Sequence, residues 1–147
     1  MALEKRKNYI KAKEAKIREK YGKIIGIVNI TGSIDCPDCQ YDSAYRRSTN
    51  PNCSTCGGRG KIVQTEEYSE RVLVFVITEE ELREVEVGGL KVGDFRLIAR
   101  VDAKEYFQKA MMQKVPFMID DIKVIPFRII PTILDTHITV YASRITE

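Results

Sequence analysis

The sequence predicts a mainly β protein: a small antiparallel β-barrel or sandwich, preceded by an N-terminal α-helix and interrupted by an inserted four-cysteine finger. Three observations carry that expectation. Short runs rich in β-branched residues recur from Lys23 onward, separated by Gly, Asp and Asn turn signals. Helical periodicity is concentrated in the first two dozen residues. All four cysteines fall between residues 36 and 60, in a segment whose flanks read as strands.

Residues 3–21 read as a helix, because Leu3, Ile10 and Ile17 recur every seven residues and Gly22 stands where a helix would end. The apolar stripe is narrow, which suits a helix lying on a neighbouring subunit or on its own barrel rather than sitting inside a core. Lys23 to Ile34 reads as the first strand. After the cysteine segment, an extended pattern restarts at Lys61. Residues 71–78, RVLVFVIT, form the most strongly β run; residues 79–89 fit a short helical turn or a polar strand closed by Gly88-Gly89. Residues 91–102 alternate from Phe95 after a Gly93-Asp94 turn, and residues 103–114 fit a short helix or a long excursion. Two strands are expected around Asp120-Asp121 and two more around Asp135-Thr136. Pro126 and Pro131 cannot donate to a ladder, so their strand is expected to be an edge or bulged strand.

At 147 residues the chain suits one compact domain. It divides into a basic helical arm over 1–23 and a barrel domain over 24–147, with the cysteine insertion at 36–60. The longest apolar run, Val72 to Ile77, is far shorter than the roughly 20 residues of a membrane helix. The first residues lack the apolar stretch of a secretory signal, so a reducing cytoplasm and free thiols are expected. Net charge is +3, yet residues 1–23 carry nine Lys/Arg against three Glu, leaving the remainder slightly acidic. Such an arm is either a solvated helix face or a contact for an anionic partner such as nucleic acid.

The cysteines stand as C-x2-C, thirteen residues, C-x2-C: Cys36, Cys39, Cys53 and Cys56. Each pair can place two thiolates on one turn, and two facing turns make the tetrahedron of a closed structural zinc site. Gly57 and Gly58 allow positive φ after Cys56 with backbone N–H groups aimed at sulfur, whereas Gln40 in the first knuckle is expected to be strained. A rubredoxin-like iron centre uses similar knuckles; two disulfides or a dithiol redox pair are further readings, though no thioredoxin-like βαβ pattern surrounds either pair. Four thiolates leave no open position for a metal-bound water. Between the knuckles, Tyr45, Arg46 and Arg47 (with Tyr41) form an aromatic and cationic group suited to stacking on bases or to a protein interface, or else to packing over the metal site. No nucleophile motif or phosphate loop is present, the single His137 reads as an ordinary strand residue, and the acidic run 79–86 reads as a solvated face. No enzyme is expected.

Two resemblances meet at these residues. CSTCGGRG (53–60) resembles one C-x-x-C-x-G-x-G element of the cysteine-rich region of J-domain chaperones, which implies a zinc module. The order of a strand ending in TGS (31–33), then CPDCQYDSAYRRSTNPNCSTCGGRGKI, then a β-rich C-terminal part resembles small neck proteins of tailed bacterial viruses that carry a zinc-finger insertion. GGLKVGDFRLIARVD and FMIDDIKVIPFRIIPTILDTHITVYASRI resemble the barrel of the stopper, or head-completion, family, although Asp121 stands where glycine is commoner. That resemblance implies a homo-oligomeric ring at the head–tail junction of a virion, joining portal or adaptor to tail proteins, assembled in the host cytoplasm and in contact with packaged DNA. On it, residues 103–117 are a candidate lumen or docking loop with Phe107, Met111 and Met112 as interface candidates, the alternative being that these three cap one end of the barrel, and Ile10 and Ile17 seat the helix on a neighbouring ring. A nucleic-acid-binding zinc-ribbon protein is the alternative expectation, supported by the basic arm and the arginine–tyrosine finger.

Overall fold

A computed structural model describes residues 2–84, 88–132 and 134–145. The elements are α1 (Ala2–Tyr21), β1 (Lys23–Asp35), β2 (Tyr41–Asp42), β3 (Arg47–Ser48), β4 (Lys61–Val76), α2 (Glu79–Glu84), β5 (Phe95–Ala99), α3 (Lys104–Gln113), β6 (Phe117–Ile119), β7 (Ile122–Pro131) and β8 (Ile138–Arg144). Six strands in the order β1-β4-β5-β8-β7-β6 make a nearly closed antiparallel barrel, as the sequence predicted. The chain forms two compact units, residues 1–29 with 67–147, and residues 30–66.

In the barrel unit, strand period two sorts side chains cleanly. On β5, Phe95, Leu97 and Ala99 are buried while Arg96 and Ile98 are only half-covered. Leu97 pairs with Val140 of β8, and both point into a core completed by Ile25, Ile27, Val72, Val124 and Ile138. The turns at Asp120 and Asp135 adopt positive φ of 53° and 55°, a conformation that Asp tolerates through its short polar side chain. Lys23 at the start of β1 reaches Asp120 beside β6 at 2.7 Å, an exposed pair that joins the first and last strands of the barrel.

The structure decides several expectations in this unit. Of the two forms expected for residues 103–114, the helix is the one found, over 104–113, stopped by Lys114 in the left-handed conformation. Phe107, expected as an interface residue, is fully buried there and packs edge-on against Phe117 at 6.0 Å, so it belongs to the core. Of the edge or bulged strand expected at Pro126 and Pro131, the bulged one is found: β7 is one ten-residue strand between β6 and β8. Its ladder slips between Pro126 and Arg128, the bulge that a proline without an N–H requires.

For α1 the choice between its own barrel and a neighbouring subunit turns on individual side chains. Most of the helix's apolar stripe is uncovered by the barrel, only Ile10 being half-buried. Leu3 and Ile17 are 64% and 46% exposed, Tyr9 and Tyr21 are exposed as well, and only Arg18 is buried along the whole helix. The helix docks through its polar side instead. Glu14 Oε1 lies 2.7 Å from His137 Nδ1, and the Arg71 guanidinium donates to the Glu19 and Gly22 carbonyls at the helix end, each at 3.4 Å. No described helix is long and apolar enough to cross a membrane.

Candidate metal centre

Residues 30–66 contain no large apolar core; their buried cluster consists of Cys36, Cys53 and Cys56, with Cys39 and Ile62 against it. Local hydrogen bonds shape the segment before any metal is considered. Cys36 N–H donates to the Gly60 carbonyl at 2.9 Å, closing the base of the finger, and Ser48 N–H donates to the Gly58 carbonyl at 2.9 Å. The two-residue strands β2 and β3 pair Tyr41 with Ser48 and Asp42 with Arg47. Side-chain oxygens of Asp42, Ser48 and Asn50 each accept the N–H two residues on, the local turns that such residues favour. Across the knuckles, the Thr55 hydroxyl donates to the Asp38 carboxylate.

These constraints bring four sulfurs together. Cys36 and Cys53 Sγ lie 3.8 Å apart, Cys39 and Cys56 Sγ 3.4 Å apart, and all four fall within 4.8 Å of one another. A tetrahedron with metal–sulfur bonds near 2.3 Å has edges of about 3.8 Å, whereas a disulfide needs about 2.05 Å. The four thiols are free, and their arrangement is that of a cluster able to hold one metal ion. Gly57, Gly58 and Gly60 have φ of 65°, 86° and 79°, and Gly60 N–H donates to Cys56 Sγ at 3.2 Å. The second knuckle is therefore built as its glycines predicted. The first differs from expectation, since Gln40 is not among the positive-φ residues and its turn carries no such strain.

Comparison with family models, curated proteins and solved structures finds no significant match.

The charge state of the sulfurs explains what the cluster asks of a ligand. Burial disfavours ionising Cys56, but the N–H groups of Gly60 and Gly58 together with Cys39 and Cys53 outweigh it and bring the thiol down to about 6. Cys39 moves the other way: Ser48 favours its thiolate, yet burial and the neighbouring sulfurs push it up to about 12. Burial raises Cys36 as well. A first negative charge is thus easily held and further ones are resisted, because like charges this close repel. A dication held by the four sulfurs would reverse that repulsion and favour loss of the remaining protons.

The remaining predicted residues are scattered. Tyr45 is 70% exposed at the tip of the β2–β3 hairpin, Arg46 takes positive φ of 54° there, and the Arg47 guanidinium lies 5.2 Å over the Tyr45 ring. Tyr41 lies under Lys61 Nζ at 4.5 Å, so the two tyrosines carry cations instead of shielding the sulfurs. Met111 is half-buried and Met112 exposed on α3, while Ile10 is half-buried and Ile17 exposed on α1. Sequence reasoning missed a charged group beneath α1: Glu14 with His137, buried Arg18, and Glu70 with Arg100. Arg100 Nε and Nη2 grip the buried Glu70 carboxylate at 2.7 and 3.0 Å, and Tyr68, stacked on Tyr106 at 3.8 Å, accepts from Nη2. Glu70 stands in phase with buried Val72 on β4 but within a run of polar residues, and the guanidinium that holds it comes from thirty residues away.

Proposed function

We propose that this chain is a non-catalytic assembly protein, a barrel stapled by one structural zinc ion, that forms a homo-oligomeric ring at the head–tail junction of a tailed virus. One observation carries the assembly reading: α1 spends its polar side on its own barrel and leaves Leu3, Tyr9, Ile17 and Tyr21 facing outward. Apolar side chains aligned on one helix and uncovered by their own domain favour burial against another chain. The all-cysteine donor set supports zinc, because four thiolates in a tetrahedron suit it and leave no site for water. The place at the neck, between portal or adaptor and tail, rests on the sequence resemblance of the finger and the C-terminal strands.

Nucleic-acid binding is the second reading, favoured by the exposed pair of Tyr45 and Arg47. The charge of the finger weighs against it. Residues 30–66 hold four basic and four acidic side chains. Four thiolates around a dication add about −2, so the loaded finger is anionic overall. Phosphate backbones favour the opposite sign.

Light scattering of the zinc-loaded protein after size-exclusion chromatography separates the two readings. A discrete oligomer that reverts to monomer in Leu3→Ser/Ile17→Ser is expected. A monomer at high concentration that binds single-stranded DNA with steep salt dependence would sink the ring proposal. Co-sedimentation with portal and tail proteins tests the place at the neck.

A further inference from the structure

The polar docking of α1 leaves an unusual atom. Arg18 is only 5% exposed, and its Nη1 is buried without a hydrogen-bond partner. Burial lowers its pKa, with Glu14 and Glu70 acting in the opposite direction. A guanidinium hidden from water with a donor unmatched is costly, so its surroundings should supply an acceptor.

Arg18 lines a cavity of about 300 Å³ between α1 and the residues after β5. Lys11 and Arg100 bound it on the polar side, Ala15 and Val101 form an apolar wall, and Asp102 is the one carboxylate in the lining. Arg100 commits Nε and Nη2 to Glu70, and its Nη1 stands 3.8 Å from Asp102. Lys11 makes no hydrogen bond or ion pair among the described residues. A second cavity of about 230 Å³ shares Arg18 and Arg100 and adds Arg71 with Glu19 and Glu70. Glu14 Oε2 is also buried without a partner, and its other oxygen is held by His137. A water between Glu14 and Arg18 would satisfy both atoms, yet with Arg100 held by Glu70 and Asp102 it would leave the Lys11 cation at the larger cavity without a partner among the described residues. An anion satisfies the donor and the charge together.

We propose that the cavity beneath α1 binds a small phosphate-class oxyanion, seated on Arg18 and closed over by Lys11. The apolar wall admits a short organic group on that phosphate, so free phosphate and a phosphate monoester are the two sources of one chemistry. Binding would add to the tethers that the Glu14–His137 and Arg71 contacts already give α1.

The test is calorimetric titration of the metal-loaded full chain with inorganic phosphate and, separately, with a nucleoside monophosphate, at ionic strength fixed with chloride. Saturable binding near one per chain is expected. It should weaken about tenfold or more in Lys11→Met, a loss matching one charge-assisted contact, and vanish in Arg18→Met. Tighter binding of the monophosphate would assign the site to a phosphorylated small molecule, and equal binding to free phosphate. If Arg18→Met does not fold, Lys11→Met still decides, because its side chain lies at the rim. Phosphate no better than chloride, or a Lys11→Met chain that binds like the wild type, overturns the proposal. So does a response to polyanions alone.

Discussion

Replacing Arg100 by Met tests the ion pair that underlies the α1 face. The Glu70 side chain is 3% exposed and accepts hydrogen bonds from Arg100 Nε and Nη2 at 2.7 and 3.0 Å. Removing the guanidinium leaves a carboxylate buried without its partner, a change that costs about 3–5 kcal/mol in a fully buried pair. Two features reduce the figure. The Arg100 side chain is half-exposed, so water reaches its end of the pair, and Arg18 stands close enough to act on the same charge. A loss of about 2–4 kcal/mol follows. With a urea m-value of about 2 kcal/mol/M, the unfolding midpoint should fall by roughly 1–2 M. Far-UV circular dichroism during urea unfolding measures this. The partner variant makes the argument strict: Glu70→Gln/Arg100→Met should recover at least half of the loss, since no stranded charge remains. A loss under about 0.5 kcal/mol in the single variant, or a double variant weaker than the single, would refute the reasoning.

Other predictions concern the metal site and the core. Chelation should unfold residues 30–66 while the barrel keeps its circular dichroism, and metal analysis of the purified protein should give about one zinc per chain; four free thiols in a folded, metal-free finger would contradict this. Zinc affinity should fall as pH is lowered from 8 to 6, because binding requires the thiolates and both Cys36 and Cys39 hold their protons more firmly than an ordinary thiol; competition with a chromophoric chelator at each pH reads it. Gly60→Ala should weaken zinc binding, since a Cβ there would stand 2.9 Å from the Tyr41 ring and 3.0 Å from Ser48 N at a φ of 79°, and the same titration should show it. Phe107→Ala should cost about 3–5 kcal/mol of barrel stability in urea without altering metal content.

What could be read from the sequence follows the range of the forces involved. Strand alternation, the glycines after Cys56 and the cysteine spacing are local, and each led to the element found. The bulge at Pro126 was legible because a missing N–H acts on its own strand; that β7 lies inside the sheet was not, because neighbours are chosen by distant segments. α1 shows the limit most clearly. Its heptad marks an apolar stripe, but the side that docks was decided by His137 and by the charged group around Glu70, more than fifty residues away in the chain. Residues 103–114 could be read as a helix or an excursion; the helix buries Phe107 and Ala110 in a core that only the distant strands create.

The outward stripe of α1 bears on how fast a partner could join. A helix held by its polar side is already formed and oriented before encounter, so no segment has to order itself when the stripe is covered. Association would then be limited by collision and orientation, not by folding, and little entropy would be lost beyond that of bringing two bodies together. Lys5, Arg6, Lys13 and Lys16, all exposed along the same helix, would give that encounter a rate that falls as salt is raised.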